Sequence, residues 1–336
     1  MSNLALTFAD LRKRQAPDGG IDQIIEVLSQ SDPVLQDVTW MQGNLPTGNV
    51  TTQRTTLPQG YLRQVNRGVP AGKSSTRQIV DTCCLLEARS EVDVELLALQ
   101  PNPEAFRASE DAAFVEGMGQ QVANYIFYGD SSSNADEFNG LSVRYNAYGG
   151  NRHEYAGQVV SAGGTKEKAQ TSAFLVCWGD KAVRGIYPKY GFAGLKRQDL
   201  GEGDCFDENN NKFRGVTTLF NWKPGLSVRD PEMVAAVRNI DVATLLADND
   251  GSGVSKDLVF HMITAQNKIR TLNGVKPVWY VNRDVYTQIE KFYSSKNSAY
   301  ITRQELANGM PQLYVNGILV KKEDAILNTE PVIASK

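Results

Sequence analysis

The sequence predicts a mixed α+β chain, and three observations carry the prediction. One helix signal is about twice the ordinary length. The middle of the chain reads as strands separated by polar turns, and the last third alternates helix and strand. With 336 residues the chain is long enough for about two domains. Its 41% hydrophobic and 22% charged content is that of a globular protein with a sizeable core.

The long helix opens at Asn102-Pro103-Glu104. Asn caps the first turn, Pro fits its first position, and Glu complements the dipole. Val115, Met118, Val122 and Tyr125 then recur at helical spacing, and Gly129-Asp130 stops the run. This predicts a rod over 103–128, roughly 39 Å long at about 1.5 Å per residue. Gly117 and Gly119 lie inside it, where each costs about 1 kcal/mol relative to Ala. They would suit a close backbone neighbour or a bend.

Ahead of that helix, residues 1–35 suggest two short helices around Pro17–Gly20, the second with the stripe Ile21, Ile24, Ile25 and Leu28. Neither is long enough to stand alone, so an arm lying on something else is expected. Residues 38–80 contain no acid and five bases: Arg54, Arg63, Arg67, Lys73 and Arg77. Val50–Leu57 and Tyr61–Val65 read as strands about a Pro58-Gln59-Gly60 turn, a long two-stranded loop with little core of its own. Residues 81–116 reverse the sign, with nine acids against Arg89 and Arg107 for a segment charge of −7. That set includes Glu104, Glu110 and Asp111.

After the helix, Ala173–Trp178, Gly215–Phe220 and Leu226–Arg238 are the expected strands. Leu258, Met262, Ala265, Ile269 and Leu272 make a helical stripe ended by Asn273-Gly274. Val278–Val281 is a strand, and Asn282 caps a helix using Val285, Ile289 and Phe292. Leu313–Val315 and Ile318–Val320 flank Asn316-Gly317, a strong hairpin signal.

Composition and motifs exclude most chemistry. A net charge of −3, from 35 bases and 38 acids, rules out a polycationic coat for nucleic acid. Four cysteines without a C-x-x-C pair, Cys83 and Cys84 being adjacent, suggest a reduced intracellular chain. No apolar run is long enough to span a membrane, and Asp10, Arg12, Lys13 and Arg14 interrupt the only leader-like start. Gly72-Lys73-Ser74 resembles part of a phosphate loop, but Arg67 stands where its first glycine is needed. Asp248, Asp250, Ser252 and Gly253 open like a calcium loop, yet Val259 stands at the twelfth position. Asp207, Asn209 and Asn211 fail too, with Lys212 where the loop's glycine is needed. His153 and His261 have no partner at ligand spacing. No catalytic residue, cofactor site or metal site is assigned. The basic loop has three readings: a solvated loop, a nucleic-acid contact, or docking on the acidic surface of another copy. Docking would pair Arg54, Tyr61, Arg63, Arg67, Lys73 and Arg77 with Glu104, Glu110 and Asp111, Tyr61 being the apolar anchor.

The sequence also resembles the major capsid proteins of tailed double-stranded-DNA bacteriophages, more closely those of short-tailed phages. The resemblance lies in WMQGNLPTGN (40–49), TTLPQGYLRQVNRGV (55–69), EARSEVDVELLAL (87–99), FRASEDAAFVEGM (106–118), FYGD (127–130), FNGLSVRYN (138–146) and DAILNTE (324–330). It is densest across 20–146 and sparser across 147–255. It implies the tailed-phage major capsid protein fold: an N-terminal arm (1–35), an extended loop with its flanking strands (36–97), a peripheral domain (98–240 and 326–336) holding a spine helix at about 103–128, and an axial domain (241–325). It implies a non-enzymatic subunit of an icosahedral shell around double-stranded DNA, part of the virion and assembled in the host bacterial cytoplasm. The implied partners are pentamers and hexamers of itself, a portal protein, a decoration or cement protein, and packaged DNA bound without sequence preference. An arm of 35 residues is too short to carry a built-in scaffold, so a separate scaffolding protein is expected. Lys73 is the only lysine of the loop and nothing selects an Asn partner, so no crosslink is expected. Two other readings compete: an encapsulin-like compartment on the same fold, and a nucleotide-dependent enzyme resting on Gly72-Lys73-Ser74.

Overall fold

The computed structural model describes residues 32–207, 209–248, 253–294, 301–305 and 311–336. The two expected arm helices, and the centre of the calcium-like Asp248–Gly253 segment, lie outside these residues. After a short helix at Val34–Asp37 come the strands β1 (Trp40–Gln42), β2 (Gly48–Thr56), β3 (Ser75–Thr82) and β4 (Leu86–Asp93). Helices Val94–Ala98, Pro103–Tyr128 and Leu141–Arg144 follow. Next are β5 (Ala147–Tyr148), β6 (Val159–Ser161), β7 (Gln170–Trp178), β8 (Val183–Tyr187), β9 (Lys196–Phe206), β10 (Lys212–Trp222), β11 (Gly225–Val228) and β12 (Val234–Asp241). The last part holds helices Val242–Leu246, Val254–Gln266 and Arg283–Ser294 with β13 (Lys276–Val281), β14 (Ile301–Glu305), β15 (Pro311–Val315), β16 (Ile318–Lys322) and β17 (Ala334–Ser335).

The main sheet has ten strands, with the path β1-β8-β7-β13-β16-β15-β14 and with β11, β12 and β6 attached beside it. All nine residues of β7 are buried, which is why it reads as a continuous run rather than an alternating one. β7 lies between β12 and β13, so one sheet spans the expected division at residue 240. A separate three-stranded sheet, β4-β10-β9, has its own small core of Val92, Leu96, Leu97, Phe106 and Val216.

The long helix joins these layers. Asn102 accepts the Ala105 N–H at 3.1 Å, and the helix runs from Pro103 to Tyr128. Met118, Val122, Ala123, Ile126 and Phe127 are buried, with Phe127 against Phe174 and Tyr280 of the main sheet. Its first half lies on the small sheet: Phe106 enters that core and Phe114 stacks on Phe220 at 5.8 Å. Val115, expected on the buried stripe, is 43% exposed, because the buried face changes where the helix passes from one sheet to the other. Neither inner glycine meets another backbone: a Cβ at Gly117 would touch nothing, and one at Gly119 only the Leu35 side chain. Gly129 ends the helix through close approach, since a Cβ there would lie 2.4 Å from the Phe138 carbonyl oxygen.

Four other expectations change. The strand expected over Leu226–Arg238 is two strands, broken by a short 3-10 turn at Pro231–Met233 that Asp230 caps. β9 was not expected, because its Gly201–Asp204 segment carries turn residues; it pairs with β10 through a bulge at Thr217/Thr218, with Gly201 at φ 73°. Leu272 is 39% exposed, because the helix stops at Gln266. Tyr61–Val65 is not a strand, and Pro58-Gln59-Gly60 is not the hairpin turn: β2 pairs instead with β3, Arg54 opposite Thr76. Two prolines and three glycines in 57–74 deny that stretch donors and stiffness. The Asn316-Gly317 hairpin forms with φ of 47° and 81°, the two positive values that a type I′ turn requires.

Candidate functional site

The basic loop has a buried polar root and an exposed distal part. In an extended strand alternate residues share a face, and Asn49 and Thr51 of β2 point inward with Asp81 of β3. The Asp81 carboxylate pairs with Arg144 at 2.8 Å and accepts the Ser227 hydroxyl at 2.7 Å. Arg144 also donates to the carbonyls of Asn139 and Leu226. Arg184 donates to Asn49 Oδ1 at 3.2 Å, and Gln53 Nε2 donates to the Arg229 carbonyl at 2.7 Å. These root residues escaped sequence reasoning. The available signal was the polar run Asn49, Thr51, Gln53 at strand spacing, closed by Asp81 as the first acid after the acid-free stretch.

Beyond Gln53 the loop leaves the body. Arg54, Arg63, Arg67 and Lys73 are exposed, and among the described residues none has an ion-pair partner. Arg77 is exposed and donates to Gln53 of the facing strand. The apolar side chains of the distal part are also bare: Leu57 is 74% exposed, Tyr61 54%, Leu62 106% and Val65 88%. Gly72-Lys73-Ser74 lies here in open chain, without a helix behind it to form a phosphate cradle.

The acidic segment is less bare than its count implies. Asp81 is used at the root, Glu91 pairs with Arg89 at 2.8 Å, and Asp93 caps the helix that follows it. Asp111 is 7% exposed and held by Arg197 of β9 through Nε at 2.7 Å and Nη2 at 2.6 Å. That pairing removes Asp111 from the outward-facing set. Glu104 is exposed and Glu110 half-buried, both on the first half of the long helix. The structure thus groups the loop bases with Tyr61 on one projection, and leaves Glu104 and Glu110, six positions apart, on the first half of the long helix.

The remaining reactive groups are structural. Burial pushes the Cys83, Cys84 and Cys177 thiols up to about 12, which leaves no thiolate near neutral pH. His153 bonds Glu232 at 2.5 Å. Asp207 spends its carboxylate on the backbone N–H groups of Asn209 and Asn211 in the β9–β10 turn. Among the described residues no cluster of ligating side chains could hold a metal, and no helix is long and apolar enough to cross a membrane.

The described fold matches known proteins. A family model described as major capsid protein GP7 matches residues 16–334. The chain belongs to this major capsid protein family. A chain from the near-atomic-resolution structure of bacteriophage Epsilon15 is 27% identical over 99% of this chain and 98% of its own length, with a TM-score of 0.76. The capsid of bacteriophage JBD30 shares the fold at 12% identity and a TM-score of 0.52, over 95% of this chain and 99% of its own. An encapsulin from Synechococcus elongatus PCC 7942 reaches a TM-score of 0.42 at 13% identity, over 71% of this chain and 97% of its own. No curated protein matches. This major capsid protein is a structural subunit of a phage capsid shell and a component of the virion. The tailed-phage capsid fold expected from the sequence is the fold observed.

Proposed function

We propose that each subunit is joined to its neighbours by the basic loop, whose Arg54, Tyr61, Arg63, Arg67, Lys73 and Arg77 meet the first half of the long helix, with Glu104 and Glu110, on the next copy. The observation that carries this reading is the bare distal loop, with apolar side chains and unpaired bases that its own chain leaves uncovered. A loop on one subunit meeting a body on the next is a head-to-tail contact, and such contacts close into rings of five and six. In this reading the shell is built with a separate scaffolding protein, carries a portal and a decoration or cement protein, and packages double-stranded DNA non-specifically. The subunit performs no catalysis of its own and is assembled in the host cytoplasm.

The structure indicates where to cut the loop. Asn49, Thr51, Gln53 and Asp81 belong to the body, so a replacement must start beyond them. Replacing residues 55–75 by a short Gly-Ser turn between Arg54 and Thr76 keeps the register of the root. The variant is expected to give the parental circular dichroism spectrum and thermal unfolding yet no shells by sedimentation. Normal shells from it overturn the docking role.

A further inference from the structure

A second basic, acid-free stretch stands at the root of the loop. Residues 181–198 hold Lys181, Arg184, Lys189, Lys196 and Arg197 without one Asp or Glu. Arg184 and Arg197 are spent on Asp180 and Asp111. Lys189 lies instead beside Tyr190, its Nζ 5.3 Å from the ring centroid. Tyr190 is 82% exposed and sits at φ 69°, a left-handed conformation uncommon for a non-glycine residue. The turn closed by Gly191 N–H on the Pro188 carbonyl at 2.8 Å holds it there. Backbone strain kept on a bare aromatic side chain points to use. The Lys189 N–H binds the Leu45 carbonyl, which fixes this turn against the start of the loop.

Between turn and root lies a cavity of about 340 Å³. Pro46 and Cys83 line it, with Leu85 (60% exposed), Lys189, Tyr190 and Lys223. An aromatic ring, an aliphatic side chain and two ammonium groups around a hollow fit a protein segment carrying one carboxylate and one apolar side chain. A nucleic-acid duplex is too wide to enter a hollow of this size.

This chain offers such a segment. On the helix Val94–Ala98 and the residue after it, Glu95 is exposed and Leu99 is 59% exposed, four positions apart. Among the described residues Glu95 has no ion-pair partner. The β2–β3 ladder rises about 26 Å over eight residues, while Glu104 and Glu110 lie on the helix that follows directly after this corner. A subunit whose root holds Glu95 of a neighbour would lay its loop along that neighbour's long helix.

We propose that the root cavity receives the Glu95–Leu99 corner of a second copy of this chain, with Glu95 between Lys189 and Lys223 and Leu99 against Tyr190 and Leu85. This inference rests on the docking reading above and adds a second, independent contact to it. Zero-length carbodiimide coupling of assembled shells, followed by peptide mass spectrometry, tests both. The expected result is an amide joining Lys189 or Lys223 to Glu95 in shells, absent from dissociated subunits. Coupling of Lys73 to Glu104 or Glu110 without any product from Lys189 or Lys223 to Glu95 overturns the root contact and leaves loop docking standing. The converse pattern overturns loop docking alone. Ultraviolet crosslinking of the Tyr190 peptide to DNA in filled shells would assign the cavity to nucleic acid and overturn the proposal. As a second readout, Glu95→Lys is expected to lower the urea concentration at which shells dissociate, and Lys223→Glu to restore it. Glu95→Lys shells that dissociate like the parent count against the contact.

Discussion

Glu323 is fully buried, and its surroundings set its proton. One carboxylate oxygen accepts the Val34 N–H at 3.0 Å, while Oε1 has no donor. Asp32, in contact with it, also buries an oxygen without a donor. Two acceptors without donors are satisfied by one shared proton. Burial, then Asp32 and Asp324, push the Glu323 carboxyl up to about 10 against the Val34 N–H. The sign follows from proton counting: between the unfolded value near 4.5 and about 10, the folded state holds a proton that the unfolded state has lost. Stability from this group is therefore full in acid and declines as pH rises across that window. Glu323→Gln, whose amide can donate to Asp32, should show a thermal midpoint that falls less between pH 5 and pH 9 than the parent's. Parallel pH profiles refute the shared proton. Asp37 behaves oppositely. Burial would raise it, but Lys276, Lys321 and Tyr280 together outweigh that effect and its pKa is lowered. Val122, at 0% exposure, gives a plainer test: Val122→Asp buries an unpaired charge at a cost of several kcal/mol and should yield insoluble protein. A soluble variant with the parental melting temperature contradicts the packing described.

At the scale of elements, the loop root is sensitive to mutation. Asp81→Ala removes the counter-ion of Arg144, which is 9% exposed, and leaves a buried guanidinium. Losing one partner of a buried pair costs about 3–5 kcal/mol, so the melting temperature should drop by several degrees even in unassembled subunits. An unchanged melting temperature would mean that the root contributes nothing to folding. How much of each element was legible depends on where its instructions lie. The long helix was readable to the residue because Asn102, Pro103 and Gly129 are local signals at both ends. The hairpin at Asn316-Gly317 and the helix after Asn282 were readable for the same reason. The pairing of β2 with β3 was not, since eighteen residues separate the strands and no turn motif fixes their register. Nor was the root network, whose Arg144, Arg184 and Ser227 come from distant parts of the chain. The candidate site was visible as a charge pattern, but the loss of Asp111 to Arg197 required the fold to bring β9 beside the long helix.

For the whole molecule, the net charge of −3 conceals a subunit that is positive at its projection and negative on the long helix. If these ends find each other electrostatically, raising ionic strength from 0.1 to 1 M, which shortens screening from about 10 to about 3 Å, should slow early assembly measured by light scattering. Finished shells, held by buried apolar contacts, should resist the same change. Assembly kinetics indifferent to salt refute the steering. The chain's final segment adds a constraint of timing. Glu330 accepts the hydroxyls of Ser172 and Tyr128 and pairs with Arg238, both members of that pair 2% exposed, while β17 lies beside β5. On the ribosome, Ser172 and Arg238 emerge well before Glu330 does. Until it arrives, the guanidinium of Arg238 has no counter-ion and its site cannot close around a bare charge. Translation thus acts as a clock: in a nascent chain this site stays incomplete from the emergence of Arg238 until that of Glu330.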